Sequence, residues 1–277
     1  THHHHGIDPG HRFPNGCAVN SSKLQGKRAL VTAGAQGIGL AISRQLAAAG
    51  CDVFVHYRTS REPAERLCLE ATNLGVRAAC GGGDLTVTGE CDRVVQEAVA
   101  FLGGLDILIN NAGSLVARKP FAENDDAFWA ETMTLNLDSC RRVSQAALPH
   151  LAKAGAERGG ASIVNLSSLA GRMGGGPGAL AYATAKGAML TFTRGLATEL
   201  GPKGIRVNAV TPGLILGSRF HEVHTPAEAQ QKIIAGIPLG RPGYTEDVAR
   251  AIVYLASEYD GFITGATLDI NGGVYYA

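Results

Sequence analysis

A tyrosine and a lysine stand one helical turn apart in the segment Tyr182-Ala183-Thr184-Ala185-Lys186. On an α-helix, positions i and i+4 share one face, so the phenol and the ammonium group would point to the same space. A phenol can donate a proton or accept one, and a neighbouring ammonium group favours its deprotonated form. The pair also occurs on ordinary surface helices, so other residues must decide its meaning.

Two further groups of polar residues follow predicted strands. Ser167 and Ser168 end one strand, and Ser168 stands 14 residues before Tyr182, across the glycine-rich segment 171–178. The run Asn110-Asn111-Ala112-Gly113 ends another strand. Doubly wound sheets bind ligands where their strands end and their helices begin, so these groups predict one site at that edge.

A glycine-bearing loop lies between the first predicted strand and the first predicted helix. Glycines there let the backbone approach a pyrophosphate, and the helix N-terminus supplies N–H groups and a positive dipole. A plain turn is the alternative, but the strand before and the amphipathic helix after favour a phosphate cradle. The loop residues predicted to contact a dinucleotide are Ala33, Ala35, Gln36, Gly37, Ile38 and Gly39.

The end of the second strand bears on the choice between NAD and NADP. An acidic residue there would bond the ribose 2′-hydroxyl and repel a 2′-phosphate. The chain instead reads Tyr57-Arg58-Thr59-Ser60, which offers one guanidinium group and two hydroxyls. We therefore predict NADP(H) as the cofactor, with Arg58 as the main phosphate ligand and NAD(H) as the alternative.

Strands and helices alternate along the chain, which predicts a doubly wound parallel α/β sheet of the Rossmann type. We expect a tag or leader over residues 1–25, one catalytic domain over 26–277, and a functional lid in the irregular stretch 214–240. A long helical stretch, Asp125–Ala152, is predicted to break near Pro149. The predicted strands are Arg28–Thr32, Asp52–His56, Val76–Cys80, Leu105–Asn110, Ser162–Ser167, Arg206–Thr211 and Ala266–Ile270.

The composition excludes several classes of protein. Of the 277 residues, 45% are hydrophobic and 18% charged, and the formal net charge is +1. This balance argues against nucleic-acid binding by charge alone and against a polybasic membrane surface. No apolar run reaches the ~18–20 residues of a membrane span. The 6 cysteines form no CxxC pair and the histidines outside the N-terminal run are scattered, which predicts free thiols, a cytoplasmic protein and no metal site.

From Lys27 to the C-terminus, the combined pattern resembles the short-chain dehydrogenase/reductase family, most closely its 3-oxoacyl-carrier-protein reductases. The resemblance implies that Tyr182 donates the proton to a carbonyl oxygen, Lys186 lowers the Tyr182 pKa and bonds the nicotinamide ribose, and Ser168 orients the substrate oxygen. Asn136 would fix a water that links Lys186 to solvent. Cofactor contacts are also implied for Asp84, Leu85, Asn111, Ala112, Gly113, Pro212, Gly213 and Ile215, besides Tyr182 and Lys186.

The expected electrostatics agree with that role for the tyrosine. An ammonium group ~5 Å away at an effective dielectric of ~20 contributes about 3 kcal/mol. Because a free phenol titrates near ~10, the predicted pKa of Tyr182 is ~7 to ~8 once the oxidised nicotinamide adds its charge.

Three positions depart from the family pattern. Ala33 replaces the first loop glycine, and Gln36 stands where NADP-binding members often carry a basic residue. Ser218 stands near the position of a threonine that would hold the carboxamide.

The sequence thus predicts an NADP(H)-dependent oxidoreductase that interconverts a ketone and a secondary alcohol. The substrate is a small molecule, with a thioester or a carrier-bound acyl chain left open; Arg158 and Lys203 are candidates for a basic patch that would dock a carrier protein. The alternatives are an NAD-dependent dehydrogenase of a sugar, polyol or steroid alcohol, and a non-catalytic cofactor-binding regulator. The family resemblance implies a homotetramer.

Overall fold

The computed structural model describes residues 24–257 and 261–277. Its main feature is a seven-stranded parallel sheet in the order β3-β2-β1-β4-β5-β6-β9. The chain starts in the middle and winds outward in both directions, so the predicted doubly wound sheet is confirmed. The seven strands are β1 Arg28–Val31, β2 Asp52–Tyr57, β3 Ala78–Gly82, β4 Ile107–Asn110, β5 Ala161–Leu166, β6 Ile205–Pro212 and β9 Thr267–Ile270.

Helices cover both faces of this sheet. Apolar residues of α1, α2 and α10 form one buried cluster with one side of the strands, and those of α3, α5 and α7 form a second cluster with the other side. Because both faces are covered, central strands such as β5 are buried along their whole length and read as nearly continuous apolar runs. The helices are α1 Gly37–Ala48, α2 Arg61–Asn73, α3 Glu90–Leu102, α4 Asp126–Met133, α5 Ser139–Glu157, α6 Leu169–Met173, α7 Leu180–Leu200, α8 Arg219–His224, α9 Ala227–Ala235 and α10 Thr245–Ala256.

The predicted break near Pro149 is wrong, because α5 runs through the proline to Glu157. The helix continues without a break because its buried face packs on the sheet both before and after the proline, through Val143, Ala147 and Leu151. Packing there outweighs the one backbone hydrogen bond that proline cannot donate. The interruption lies earlier, in a π-helical turn over Thr134–Asp138.

The stretch 214–240 is more regular than predicted. It contains the short strand β7 (Ile215–Leu216), which pairs in parallel with β8 (Gly243–Tyr244), and the two short helices α8 and α9. Neither helix is long enough to show a clear apolar period in the sequence.

The first described residue, Leu24, is buried in the core. Most of the predicted leader, residues 1–23, lies outside the described residues. Within the described part of the chain, no helix combines the length and the apolar character that a membrane crossing requires.

Candidate active site

Three predicted catalytic side chains meet at the carboxyl edge of the sheet. Ser168 follows β5 and is the N-cap residue of α6. Its hydroxyl accepts a hydrogen bond from Ala170 N–H at the start of that helix. Tyr182 and Lys186 lie on α7, and the Lys186 Nζ atom is 5.7 Å from the centre of the Tyr182 ring. The Tyr182 and Ser168 hydroxyls hydrogen-bond to each other, so both can reach one substrate oxygen.

The segment between Ser168 and Tyr182 folds back as predicted. A Cβ atom built on Gly171 of α6 would lie 2.8 Å from Gly187 N on α7, so the two helices touch through glycine. Only a residue without a side chain permits this approach. The glycines therefore set the distance between the serine and the tyrosine.

Asn136 lies in the π-helical turn and is fully buried. Its amide donates to Ser114 O at 2.8 Å and Thr132 O at 2.9 Å, and its Oδ1 atom accepts from Ser114 N–H at 3.0 Å. A Cβ atom on Gly113 would lie 2.7 Å from Asn136 Oδ1 and 2.9 Å from Lys186 Nζ. Asn136 and Lys186 thus border the same glycine, as the predicted site requires.

Two hydrogen bonds with the end of β5 and the residue after it hold Lys186 in place. Its ammonium group donates to Leu166 O at 2.8 Å, and its backbone carbonyl accepts from the Ser167 hydroxyl at 2.7 Å. The sequence analysis did not assign this anchoring role to Ser167, because either serine of the pair could have capped the strand end.

Burial controls the protonation of the two titratable groups. It raises the pKa of Tyr182 to about 12, against the smaller opposing effect of the hydrogen bond with Ser168, and it lowers the pKa of Lys186 to about 8. The pKa of ~7 to ~8 concerns Tyr182 beside a bound oxidised nicotinamide and stays a prediction. In the protein alone, the loss of hydration of a buried phenolate is the main cause of the raised pKa of Tyr182.

The predicted cofactor loop joins β1 to the N-terminus of α1. Gln36 is the N-cap residue of α1, its side chain makes no capping hydrogen bond, and the first turn of the helix carries no acidic residue. A Cβ atom on Gly39 would lie 2.1 Å from Ala33 O, which shows how tightly the loop is folded. A helix N-terminus with no side-chain cap and no acidic residue in its first turn fits an anionic pyrophosphate.

Several known proteins are similar to this chain over almost its whole length. The family described as enoyl-(acyl carrier protein) reductase matches residues 32–275. Nodulation protein G of Azospirillum brasilense is 38% identical over 250 residues, which are 90% of this chain and 98% of the relative. The 3-oxoacyl-(acyl-carrier-protein) reductase of Aquifex aeolicus (strain VF5) is 37% identical over 254 residues, which are 91% of this chain and 99% of the relative.

Solved structures agree. The NADH-dependent reductase A1-R′, responsible for alginate metabolism, superposes with a TM-score of 0.85 at 34% identity, covering 92% of this chain and all of the reductase chain (100%). A second structure of that reductase is complexed with NAD.

This chain belongs to the short-chain dehydrogenase/reductase family. Two of the relatives named above are reductases, and the chain is an oxidoreductase of the class that acts on CH–OH and C=O groups.

Within the family site, the residues predicted to select the cofactor lie together after β2. Arg58 is exposed, and its Nη2 atom is 3.5 Å from the Asp84 carboxylate. The Ser60 hydroxyl donates to Gln36 Oε1 at 3.0 Å, which joins the β2 end to the cofactor loop. Thr59 lies between Arg58 and Ser60 at the start of the turn into α2.

Asp84 follows β3 and holds its own turn. Its Oδ1 atom accepts from the Thr86 hydroxyl at 2.6 Å and from Thr86 N–H at 3.0 Å, and these hydrogen bonds lower the pKa of Asp84. Leu85 packs in the core. Tyr57, at the end of β2, packs its ring against Gly82 of β3, where a Cβ atom would lie 2.8 Å from the ring.

Asn111 and Ala112, after β4, share one hydrogen-bond acceptor. Their N–H groups donate to the hydroxyl of Thr32 at 3.0 and 3.1 Å, and the Asn111 side chain donates to Ala33 O at 3.1 Å. The sequence analysis did not assign a role to Thr32. A hydroxyl residue at the end of β1, next to the predicted loop, is the signal that could have revealed it.

The predicted nicotinamide-side residues lie between β6 and β7. Pro212 ends β6, Gly213 follows it, and the Ile215 side chain is buried in the core, which leaves only its backbone for contact with a ligand. Ser218 is buried, donates to Ile215 O at 3.0 Å, and its Cα and Cβ atoms lie 3.7 Å from a Cβ built on Gly37. The start of the predicted lid therefore meets the N-terminus of α1.

The predicted carrier-docking position of Arg158 is wrong. Arg158 follows α5 and pairs with Asp106 at 2.8 Å, beside the start of β1 and β4. Lys203, just before β6, belongs to the same amino edge of the sheet. This edge is opposite the carboxyl ends that carry Ser168, so neither residue borders the candidate site.

Proposed function

We propose that this protein is an NADP(H)-dependent oxidoreductase that interconverts a ketone and a secondary alcohol, with Tyr182 as proton donor and acceptor. The observation that carries the proposal is the hydrogen bond between the Tyr182 and Ser168 hydroxyls, with the Lys186 ammonium group 5.7 Å from the tyrosine ring. A carbonyl oxygen placed between two hydroxyl groups is both oriented and supplied with a proton.

The protonation states favour the reducing direction. With a pKa of about 12, Tyr182 carries its proton at neutral pH and can donate it to a developing alkoxide. Ser168 accepts from Ala170 N–H, which leaves its own O–H to donate toward Tyr182 or the substrate oxygen. Lys186, protonated below about pH 8, stabilises the negative charge that Tyr182 acquires.

The loop and the strand ends fit a dinucleotide. The α1 N-terminus would receive the pyrophosphate, and the segments after β3 and β4 would border the adenosine half. Lys186 would bond the nicotinamide ribose, and the 212–215 segment would border the nicotinamide ring. When bound, the nicotinamide supplies or accepts the hydride.

NADP(H) is proposed over NAD(H) because the β2 end bears Arg58 and no acid. The ion pair with Asp84 is long, at 3.5 Å, and the Arg58 side chain is 67% exposed, so the guanidinium group is accessible to a phosphate. NAD(H) is the second candidate, because the structurally similar reductase A1-R′ is NADH-dependent. An NAD-linked enzyme would favour a sugar, polyol or steroid alcohol as substrate.

The proposed substrate is a small carbonyl compound or its alcohol, with a thioester or carrier-bound acyl chain as the first class to test. This class comes from the similarity to the 3-oxoacyl-(acyl-carrier-protein) reductase. We also propose a cytoplasmic homotetramer, which sedimentation of the purified protein would test. The accessible C-terminal side chains, with Tyr276 79% exposed, support a contact between copies in this assembly.

The experiment is a titration of the purified protein with NADPH and, separately, with NADH, followed by fluorescence quenching. We expect NADPH to bind at least about tenfold more tightly, which is about 1.4 kcal/mol. Arg58→Ala should remove that preference, while Arg61→Ala, a neighbouring arginine paired with Glu65, should keep it. A preference for NADH would favour the NAD-linked alternative, binding without turnover of any carbonyl or alcohol substrate would favour the non-catalytic regulator, and binding of neither cofactor would contradict the proposed function.

A further inference from the structure

His56 is the last but one residue of β2 and is 2% exposed. Ala33 N–H donates to its Nδ1 atom at 3.0 Å, and its Nε2 atom lies 2.8 Å from Gly83 O. A backbone N–H can only donate and a carbonyl can only accept, so Nδ1 is unprotonated and Nε2 carries the hydrogen. The imidazole is therefore neutral and joins the ends of β1, β2 and β3.

Ala33 has a backbone conformation that alanine seldom adopts. Its φ is +48°, in the left-handed region, which costs a residue with a Cβ atom about 1–2 kcal/mol. Both polar groups of its peptide units are held: the N–H by His56, and the carbonyl by the Asn111 side chain at 3.1 Å. The next loop residue is held too, because Gly34 N–H donates to His56 O at 2.9 Å.

The shape of the loop depends on this conformation. The Ala33 carbonyl lies so close to Gly39 in the first turn of α1 that a Cβ there would meet it at 2.1 Å. A change in the Ala33 backbone would thus move the carbonyl against the helix start. His56 is the side chain that fixes the Ala33 N–H.

We propose that His56 is a positioning residue for the cofactor: its neutral imidazole holds Ala33 in the left-handed conformation and so shapes the loop that receives the pyrophosphate. The inference rests on the proposed function, because it concerns the same cofactor loop. The proposed role does not require His56 to contact the cofactor, because His56 acts through the backbone of Ala33.

The surroundings of His56 keep it neutral. Burial lowers the pKa of His56, and Arg93 of α3 works in the same direction. The hydrogen bond to Gly83 O and the charges of Asp84 and Glu90 oppose this lowering, each with a smaller effect than burial. A second proton would have to sit on Nδ1, where it would face the Ala33 N–H. The loop contact and the charged form of the imidazole therefore exclude each other.

The test is a cycle of variants that measures NADPH affinity by fluorescence quenching. His56→Leu removes both hydrogen bonds at similar size, and we expect NADPH to bind about tenfold or more weakly. Ala33→Gly, measured alone as the baseline, should recover most of the loss when it is added to His56→Leu, since glycine adopts a positive φ without cost. His56→Asn, whose amide oxygen can accept from Ala33 N–H, should stay close to the unaltered protein.

A matched control separates positioning from general destabilisation. Asn208 of β6 is also buried and also bridges two backbone groups, with Ile263 O and Ala266 N each at 3.0 Å, remote from the loop. Asn208→Leu should lower the melting temperature without changing NADPH affinity. If His56→Leu behaves like this control, or if Ala33→Gly recovers nothing, the proposal is overturned.

A second measurement needs no variant and no cofactor. Nitrogen NMR of the ¹⁵N-labelled imidazole should show His56 as the neutral Nε2–H tautomer at pH 7 in the cofactor-free protein. A protonated ring or the Nδ1–H tautomer would contradict the proposal even if His56→Leu fails to fold. If the unaltered protein binds neither NADPH nor NADH, the proposed function fails, whereas the NMR result still reports on the loop contact.

Discussion

At the scale of single residues, Tyr182 and Lys186 differ in protonation although the sequence pattern presents them as one pair. Tyr182 keeps its proton because burial raises its pKa to about 12, while burial lowers the pKa of Lys186 to about 8. The lysine, not the tyrosine, therefore changes charge near physiological pH. In the proposed reaction, Tyr182 stays protonated over this pH range, and the charge of Lys186 sets the pH limit of the activity.

The first prediction concerns that limit. The Lys186 ammonium should titrate near pH 8 in the cofactor-free protein instead of at its usual 10.5. Because the charge is present below this pKa and is lost as pH rises through it, kcat/KM for ketone reduction should fall above about pH 8. Carbon NMR of the protein labelled with ¹³C-lysine gives the pKa of Lys186, because the Lys186 signal is the one that is missing from the Lys186→Arg variant.

The control sharpens the assignment. Arginine keeps its charge throughout this range, so Lys186→Arg should lose the low-pKa NMR signal and the fall in rate near pH 8. If every lysine of the protein titrates near 10.5, the lowered pKa of Lys186 is contradicted.

The sequence predicted which side chains meet at the candidate site but not their protonation. The type and spacing of Ser168, Tyr182 and Lys186 predicted one site, the family resemblance implied Asn136, and the structure brings all four to one edge. The burial that raises the pKa of Tyr182 depends on packing by distant segments such as Leu115, which the local sequence pattern does not show. His56 was missed because a histidine at a strand end carries no motif; its role depends on the backbone of Ala33.

At the scale of elements, three loops meet beside the catalytic tyrosine. Arg118, after β4, donates from Nε to His224 O at the end of α8 at 3.1 Å and from Nη1 to Pro177 O, before α7, at 3.4 Å. Lys119 N–H donates to Gly178 O at 3.1 Å. Arg118 thus fastens the predicted lid to the loop that leads into Tyr182.

The second prediction follows from this contact. Arg118→Ala should raise the KM of the carbonyl substrate about three- to tenfold, because each lost hydrogen bond contributes about 0.5–1.5 kcal/mol. NADPH affinity should not change. Steady-state kinetics and the NADPH titration together give both values.

Lys232→Ala on α9 is the matched control, since Lys232 also lies in the lid but pairs only with the exposed Glu228 on its own helix. Its KM should equal that of the unaltered protein. An Arg118→Ala enzyme with an unchanged KM would mean that the lid does not depend on this contact.

The elements themselves were predicted unevenly. Strands such as β5 and β6 were placed to within two residues, because buried parallel strands leave plain apolar runs. The helices α8 and α9 were missed because they are short and have few buried residues, and the continuity of α5 through Pro149 was missed because tertiary packing overrode a local rule.

At the scale of the whole molecule, stability and function occupy opposite edges of the sheet. At the amino edge, the Asp106 carboxylate accepts hydrogen bonds from the side chains of Arg28 and Arg158 and from Arg28 N–H. The side chain of Asp106 is 1% exposed, so this cluster ties β1, β4 and the end of α5 together. The catalytic groups lie at the carboxyl edge.

The third prediction is a loss of stability without loss of cofactor affinity. Asp106→Asn leaves two arginines without their counter-charge and should lower the free energy of unfolding by about 2–4 kcal/mol. Although burial opposes its charge, the arginine hydrogen bonds hold the pKa of Asp106 below 3.8. Its contribution is therefore present above pH 3.8 and is lost as pH falls through the lower folded-state pKa.

Urea unfolding at pH 7 measures the loss of stability, and urea unfolding at pH 3 measures how that loss depends on pH. The difference between Asp106→Asn and the unaltered protein should shrink at the lower pH. Asp52→Asn, which removes a more exposed pair with Arg77, is the control and should cost less. Equal stability of Asp106→Asn at pH 7 would contradict the structural role of this cluster.

The central claim is that Tyr182 transfers the proton in a carbonyl reduction driven by NADPH. The most direct measurement is the single-turnover rate of NADPH oxidation by Tyr182→Phe with an acetoacetyl thioester or an activated ketone that the unaltered protein reduces. We predict a loss of about 10²–10⁴-fold, with NADPH affinity unchanged because phenylalanine keeps the ring. A Tyr182→Phe enzyme that reduces the same substrate at the unaltered rate would contradict the account.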